Sequence, residues 1–508
     1  MTAYFLSAET RKFSFADRCT AVLIRLPLLN PTSIHPAPSS GRRLVGLVLL
    51  SLFPGLAWSQ AIPTEKVPAT PPAAAPAQVP IQQPAPAGDT EREWSIHFQQ
   101  TTIKQWHTEF NSPIPDSLLG SVSLQSREKA KLSLTTTAFI GRRLWKDAAL
   151  FFNPEISGGS GLSAAAGVAG ALNGETFRVG SAEPALYLGR LYLRQRWAIG
   201  KETTVDEDDL NQLAGARPVC YLSATLGKIC IADYFDQNSY SHDPRTQFLN
   251  WSLMSAGAWD YPANTRGYTA GAVVEYISPA FALRAATTLV PTTANGPVLD
   301  TRYRKAHSET VEITKAFVMA NHPGVVRLLG YRTTAPMGNY DRARQIQELG
   351  KVPDLLQVEF DGGTKVGLAL NVEQEITKNV GVFARYSYND GRYETWAFTE
   401  IDRSLSAGVS STGTRWHRPA DRLGAALVIN GISPEHRAYL AAGGRGFIIG
   451  DGSLNYGPEY VGEVFYNLGV PRYHASISPD YQLVVNPGYN RDRSGPIHVF
   501  ALRVHIEF

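Results

Sequence analysis

The chain has 508 residues, 44% hydrophobic and 18% charged, with 44 Gly, three Cys and a formal net charge of +3. A composition this apolar excludes wholesale disorder, and three Cys exclude a disulfide scaffold or a Cys-rich zinc module. The longest apolar run, Leu44–Leu56, has about thirteen residues against the ~20 of a spanning helix, which excludes a helical membrane bundle.

That run follows Arg42-Arg43 and precedes Ala57-Trp58-Ser59. A basic start, a short apolar middle and small residues at the end make a secretory signal. Residues 1–59 therefore read as an N-terminal extension and signal peptide, with the part before Arg42 long enough to point to an internal start. This stretch carries six basic and two acidic residues, so its loss leaves the rest at −1. A nucleic-acid role then has no compositional support. Residues 60–93 are dense in Pro and Ala, which fixes the backbone near polyproline II, and read as an extended periplasmic spacer.

From Trp94 to Phe508 the period is two. Val366, Leu368, Leu370 and Val372 alternate with Gly367, Ala369, Asn371, Glu373 and Glu375. Val380, Val382, Ala384, Tyr386 and Tyr388 alternate with Arg385 and Ser387 after the polar turn Ile376–Asn379, which makes a hairpin by pattern. Leu186–Arg196 places Arg190, Tyr192, Arg194 and Arg196 on one face, and Phe281–Leu289 and Gly324–Tyr331 each carry an Arg in mid-strand. Tyr386, Tyr388, Trp197, Tyr276, Tyr331 and Tyr466 sit towards strand ends, as interfacial girdles do. The last strand, Phe500–Phe508, alternates without a fault, with Arg503, His505 and Glu507 opposite its apolar face. The fold expected for residues 94–508 is an all-β transmembrane antiparallel β-barrel of about 16 strands.

A pore needs polar, weakly sticky walls. The expected lumen-facing, solute-contacting residues are Arg190, Arg194, Arg196, Arg284, Glu373, Glu375, Arg385, Arg503 and Glu507. The small-sided stretch Asn153–Gly180 reads either as an external loop or as an infolded constriction with Asn173, Glu175 and Arg178 at its tip. The acidic run Asp206–Asp209 reads as a solvated loop rather than a metal site, and Cys220 and Cys230 read as free thiols. No catalytic motif is present, so neither an enzyme nor a cofactor is expected. Glu373 and Glu375, about 7 Å apart on one strand face, leave open a secreted glycosidase or carbohydrate-binding β protein as the rival class.

Several blocks, in order, resemble the carbohydrate-selective outer-membrane porin family (OprB type). They are Phe152–Leu162, Leu226–Lys228 with Ala232–Asp236, Phe248–Trp251, Ala256–Tyr261, Ala441–Phe447 with Gly450–Gly452, and Tyr481–Asn490. The resemblance implies one barrel in the outer membrane of a Gram-negative bacterium, passing mono- or oligosaccharides by passive diffusion. It also implies contact with outer-membrane lipid and the barrel assembly machinery, and a homotrimer. A general or anion-preferring porin is the alternative within the class, given the arginine-rich faces.

Overall fold

A computed structural model describes residues 91–112, 115–116, 122–176, 182–493 and 495–508. Residues 1–90, where an export signal and most of a spacer are expected, and Arg178 lie outside the described residues. The strands are β1 (Trp94–His107), β2 (Lys131–Trp145), β3 (Ala148–Gly159), β4 (Ala185–Ala198), β5 (Thr203–Asp206), β6 (Gly215–Pro218), β7 (Tyr221–Ile229), β8 (Thr269–Ser278) and β9 (Phe281–Thr288). They continue as β10 (His307–Met319), β11 (His322–Ala335), β12 (Gly363–Thr377), β13 (Val380–Asn389), β14 (Arg403–Thr412), β15 (Arg422–Gly431), β16 (Glu459–Val470), β17 (Ala475–Val485) and β18 (Ile497–Glu507). All but β5 and β6 form one closed antiparallel barrel of 16 strands, with β1 closing on β18. Phe98 and Phe508 exchange both backbone hydrogen bonds at 2.9 Å, so the last residue helps seal the seam. Closure leaves no unpaired edge, which a bilayer requires.

The alternation reads directly onto the wall. Leu368, Leu370, Tyr386 and Tyr388 face outward and are exposed, while Asn371, Glu373, Arg385 and Ser387 point inward and are buried. Trp94, Trp145, Trp197 and Phe508 ring one end of the outer face, and Trp106, Tyr388 and Tyr460 the other. Tyr331 departs from the girdle expectation. It points inward, is buried, and donates its hydroxyl to Ala258 O at 2.9 Å.

The two rims differ. One has two-residue turns at 146–147, 279–280, 320–321 and 378–379, and the other carries connections of up to 39 residues, the longest being 230–268. Short turns mark the periplasmic rim of such barrels. Three segments enter the barrel. The connection 230–268 and the described part of the 160–184 connection enter from the long-loop rim, and the small hairpin β5–β6 sits at the short-turn rim.

The inner face is not polar throughout. Phe383, Val428, Val461, Phe465, Val484 and Val499 are buried against Phe248 and Leu253 of the infolded segment and Leu162, Val168 and Leu172 of the 160–184 connection. Phe248 meets Phe465 edge-on at 4.9 Å and Phe383 at 5.7 Å. These strands are apolar on both faces because one face meets lipid and the other meets protein.

Candidate functional site

The infolded segment is held by wall side chains reaching inward from many strands. Glu312 of β10 accepts from Asp236 N at 2.8 Å, Glu373 of β12 from Ser239 N at 2.7 Å, and Glu463 of β16 from Leu249 N and Asn250 N at 2.5 and 2.9 Å. Arg385 pairs with Asp236 at 3.0 Å, and Arg503 donates to Pro244 O and Gln247 O at 2.5 and 2.9 Å. Each is a charge-assisted bond in a dry setting, the strong class of hydrogen bond. Asn250 caps the short helix α1 (Trp251–Met254) by accepting from Ser252 N.

The 160–184 connection folds against this segment. Gly174 N donates to Leu249 O at 2.8 Å and Trp251 N to Ala171 O at 3.1 Å. The approach is close at glycines: a Cβ on Gly170 would lie 2.5 Å from Ser252 Oγ, one on Gly174 2.5 Å from Met254 Sδ, and one on Gly167, whose φ is +83°, would overlap Leu124 N.

Between the two segments and the wall of β2, β3 and β4 lies a cavity of about 260 Å³. Its wall side is Glu155, whose carboxylate accepts from Thr137 Oγ1 at 2.6 Å, Tyr268 Oη at 2.8 Å and the Tyr187 hydroxyl. Arg266 lies 4.1 Å over the Tyr187 ring and donates to Ser157 Oγ at 3.2 Å. Arg190 forms a two-pronged pair with Asp233, both bonds at 2.7 Å. Across the cavity Arg245 pairs with Glu175 at 3.0 Å and also donates to Gln99.

Four buried polar atoms on this lining have no hydrogen-bond partner among the described residues: Glu175 Oε2, Arg190 Nη1, His242 Nδ1 and Trp251 Nε1. The Gln237 amide nitrogen lies 3.0 Å from His242 Nε2, so Nε2 accepts and Nδ1 carries the ring proton. Burial holds His242 below its ordinary value and keeps it neutral. Burial raises the Glu175 carboxyl, with Arg245 pulling the other way. The lining therefore presents donors on Arg190, His242 and Trp251, an acceptor on Glu175 and the rings of Tyr187, Trp251, Tyr261 and Tyr268.

The residues expected from sequence fall into four places. Arg190 and Glu175 line the cavity, and Asn173 is buried behind it, bonded to Ser133 Oγ at 3.3 Å. Glu373, Arg385 and Arg503 anchor the infolded segment. Arg284 sits in a wall ladder with Glu275 at 3.0 Å and Glu312 at 3.4 Å, while Glu375 bonds His322 at 2.8 Å and Glu507 accepts from Gln99 at 2.9 Å. Arg194 and Arg196 lie lower, beside the β5–β6 hairpin. In the acidic run, Asp206 pairs with Arg217 and Asp208 with Arg92. Cys220 and Cys230 flank the two ends of β7 and are not joined in a disulfide; Cys220 Sγ lies 3.7 Å from Tyr276 Oη.

Sequence reasoning missed Glu155, Tyr187, Asp233, His242, Arg245, Arg266 and Tyr268. Glu155 and Asp233 lie inside blocks that carry the resemblance, and Tyr187 lies in the alternating strand Leu186–Arg196, where the irregularity at Gly189 shifts it to the side of Arg190; the others sit where no periodicity marks them.

The sequence profile of the family described as carbohydrate-selective porin, OprB family, matches residues 131–508. Among solved structures, OprB of Pseudomonas putida at high pH is similar with a TM-score of 0.59 and 17% identity, over 82% of this chain and 94% of its own. The outer membrane channel DcaP of Acinetobacter baumannii gives a TM-score of 0.43 and 11% identity, over 82% of this chain and 97% of its own. No curated protein sequence matches. The family and the fold are those of a channel rather than an enzyme. With a closed 16-strand wall, an infolded segment and a match across most of its length, the chain belongs to the carbohydrate-selective OprB porin family and is a sugar channel of the Gram-negative outer membrane.

Proposed function

We propose that mono- and oligosaccharides cross the barrel through the cavity bounded by Glu155, Glu175, Arg190, His242, Arg245 and Tyr268. The observation that carries this reading is the set of unpartnered buried atoms on Glu175, Arg190 and His242 beside aromatic rings. A passing hydroxyl completes those bonds, and a sugar's C–H faces stack on the rings. The site is fixed in place yet offers few bonds, which suits a channel whose solutes must also leave.

In this reading residues 1–59 direct export and are removed, and residues 60–93 span part of the periplasm ahead of Trp94. Lipid packs on the outward apolar band, the barrel assembly machinery inserts the chain, and a homotrimer is carried over from the family. Titrating glucose and maltose oligomers against single-channel conductance tests the site. Saturable block supports it, and unblocked steps at any sugar concentration count against it.

A further inference from the structure

The β5–β6 hairpin reaches up the lumen from the short-turn rim. Leu213 and Ala214 are buried, Leu213 within the same apolar cluster as Phe151 and Ala149 of β3, and Arg143 donates to Ala214 O at 2.9 Å. At its tip Asn211 Oδ1 accepts from Asn153 Nδ2 at 2.9 Å. Asn153 is only two residues along β3 from Glu155, so the hairpin lies directly below the sugar cavity.

Against this hairpin three guanidiniums converge. Arg143, Arg194 and Arg196 line a second cavity of about 30 Å³, together with Asp147 and Asp206. Asp206 is already engaged by Arg217 at 2.8 and 3.0 Å, and reaches Arg196 only at 3.6 Å. Arg194 lies 4.6 Å over the Phe151 ring, and its hydrogen bond to Asn211 O is long at 3.5 Å. Arg194 and Arg196 project from the same face of β4, about 7 Å apart along the strand. Counting Arg217, the cluster holds four cations against two carboxylates. The upper cavity is different, with Arg190, Arg245 and Arg266 against Glu155, Glu175, Asp233 and Asp243.

We propose that Arg143, Arg194 and Arg196, gathered around the Thr203–Pro218 hairpin, form a second site that binds the carboxylate of acidic sugars at the periplasmic exit. The inference deepens the sugar-channel reading and places two sites in series. The upper cavity takes the hydroxyls of any sugar, and the lower cluster takes a carboxylate oxygen. The small cavity admits the oxyanion and leaves the ring in the lumen. Guanidinium forks match a carboxylate's two oxygens.

The test is block of single-channel current by glucose and by glucuronate, each added from the short-turn side at about 0.1 M salt, where screening is weak. In the wild-type channel glucuronate is expected to block about tenfold more strongly than glucose, the value of one charge-assisted bond. Arg194→Gln should bring the ratio of the two to near one, and Arg194→Lys, which keeps the charge but not the fork, should retain only part of it. Raising salt to about 1 M should compress the ratio in the wild type, which decides the matter if Arg194→Gln fails to assemble. Equal block by the two sugars in the wild type overturns the proposal, as does an Arg194→Gln channel with an undiminished ratio. If glucose does not block but glucuronate does, and Arg194 governs it, the upper-cavity reading fails and the exit site stands.

Discussion

Arg385 Nε lies 3.0 Å from Asp236 Oδ1, and the two side chains are 1% and 2% exposed. The same guanidinium donates to Leu253 O at 2.9 Å and Ser241 O at 2.5 Å. One residue of β13 thereby fixes three points of the infolded segment. Removing it leaves Asp236 buried without its counter-charge, at a cost of about 3–5 kcal/mol. The barrel ladders are backbone bonds and are untouched. Arg385→Ala is therefore expected to keep its heat-modifiable, folded mobility while showing larger, noisier conductance and weaker sugar block. Conductance and block identical to the wild type would remove Arg385 from this role.

Glu175 offers one oxygen to Arg245 at 3.0 Å and keeps Oε2 unpartnered in the cavity. Glu175→Gln keeps the shape and removes the charge, and is expected to weaken glucose block about tenfold. Burial raises this carboxyl, against the pull of Arg245, so on acidification it takes up its proton before an exposed glutamate does. Wild-type block should decline as pH falls, and the variant's profile should be flat. Parallel profiles for the two channels would show that another group titrates.

The wall was legible because a strand between lipid and lumen leaves a period of two. Val366–Val372 and Val380–Tyr388 show it, and the buried, inward Arg385 and Glu373 follow from it. The partners of those residues were not legible. Nothing local tells Arg385 that Asp236, far along the chain on the β7–β8 connection, will meet it. Leu427 and Val428 illustrate the second difficulty. One faces lipid at 70% exposure and the other packs inward at 1%, so both are apolar and the alternation vanishes. The site itself sits largely on irregular backbone, where residues such as His242 and Arg245 are placed by their anchors rather than by a repeat.

Glu394 lies outside the strands, in the 390–402 connection, where its carboxylate accepts from Gly338 N at 2.5 Å. Burial pushes it up to about 8 from the usual 4.5, although the Gly338 bond opposes this. Between those values the docked loop holds a proton that the opened loop has released. Docking therefore weakens as pH rises through that window. Hydrogen exchange around Gly338, corrected for its intrinsic pH dependence, should quicken from about pH 5 to about pH 8. Glu394→Gln, which stays neutral, should remove the trend. A corrected rate that is flat in the wild type would show that Glu394 does not control the loop.

Leu427 stands near the middle of β15, outward, between Ala407 of β14 and Gly462 of β16. Its neighbours are small, so its side chain projects into whatever surrounds the barrel. If that medium is hydrocarbon, an arginine here costs about 2–4 kcal/mol at the midplane, whereas alanine loses only contact area. If the medium were water, arginine would be the milder change. Leu427→Arg should thus lower the folded fraction in lipid vesicles far more than Leu427→Ala, with the gap narrowing in detergent. Equal effects of the two substitutions in vesicles would place this face away from the bilayer core. The comparison works because both variants lose the same leucine, and only the medium decides which replacement is tolerated.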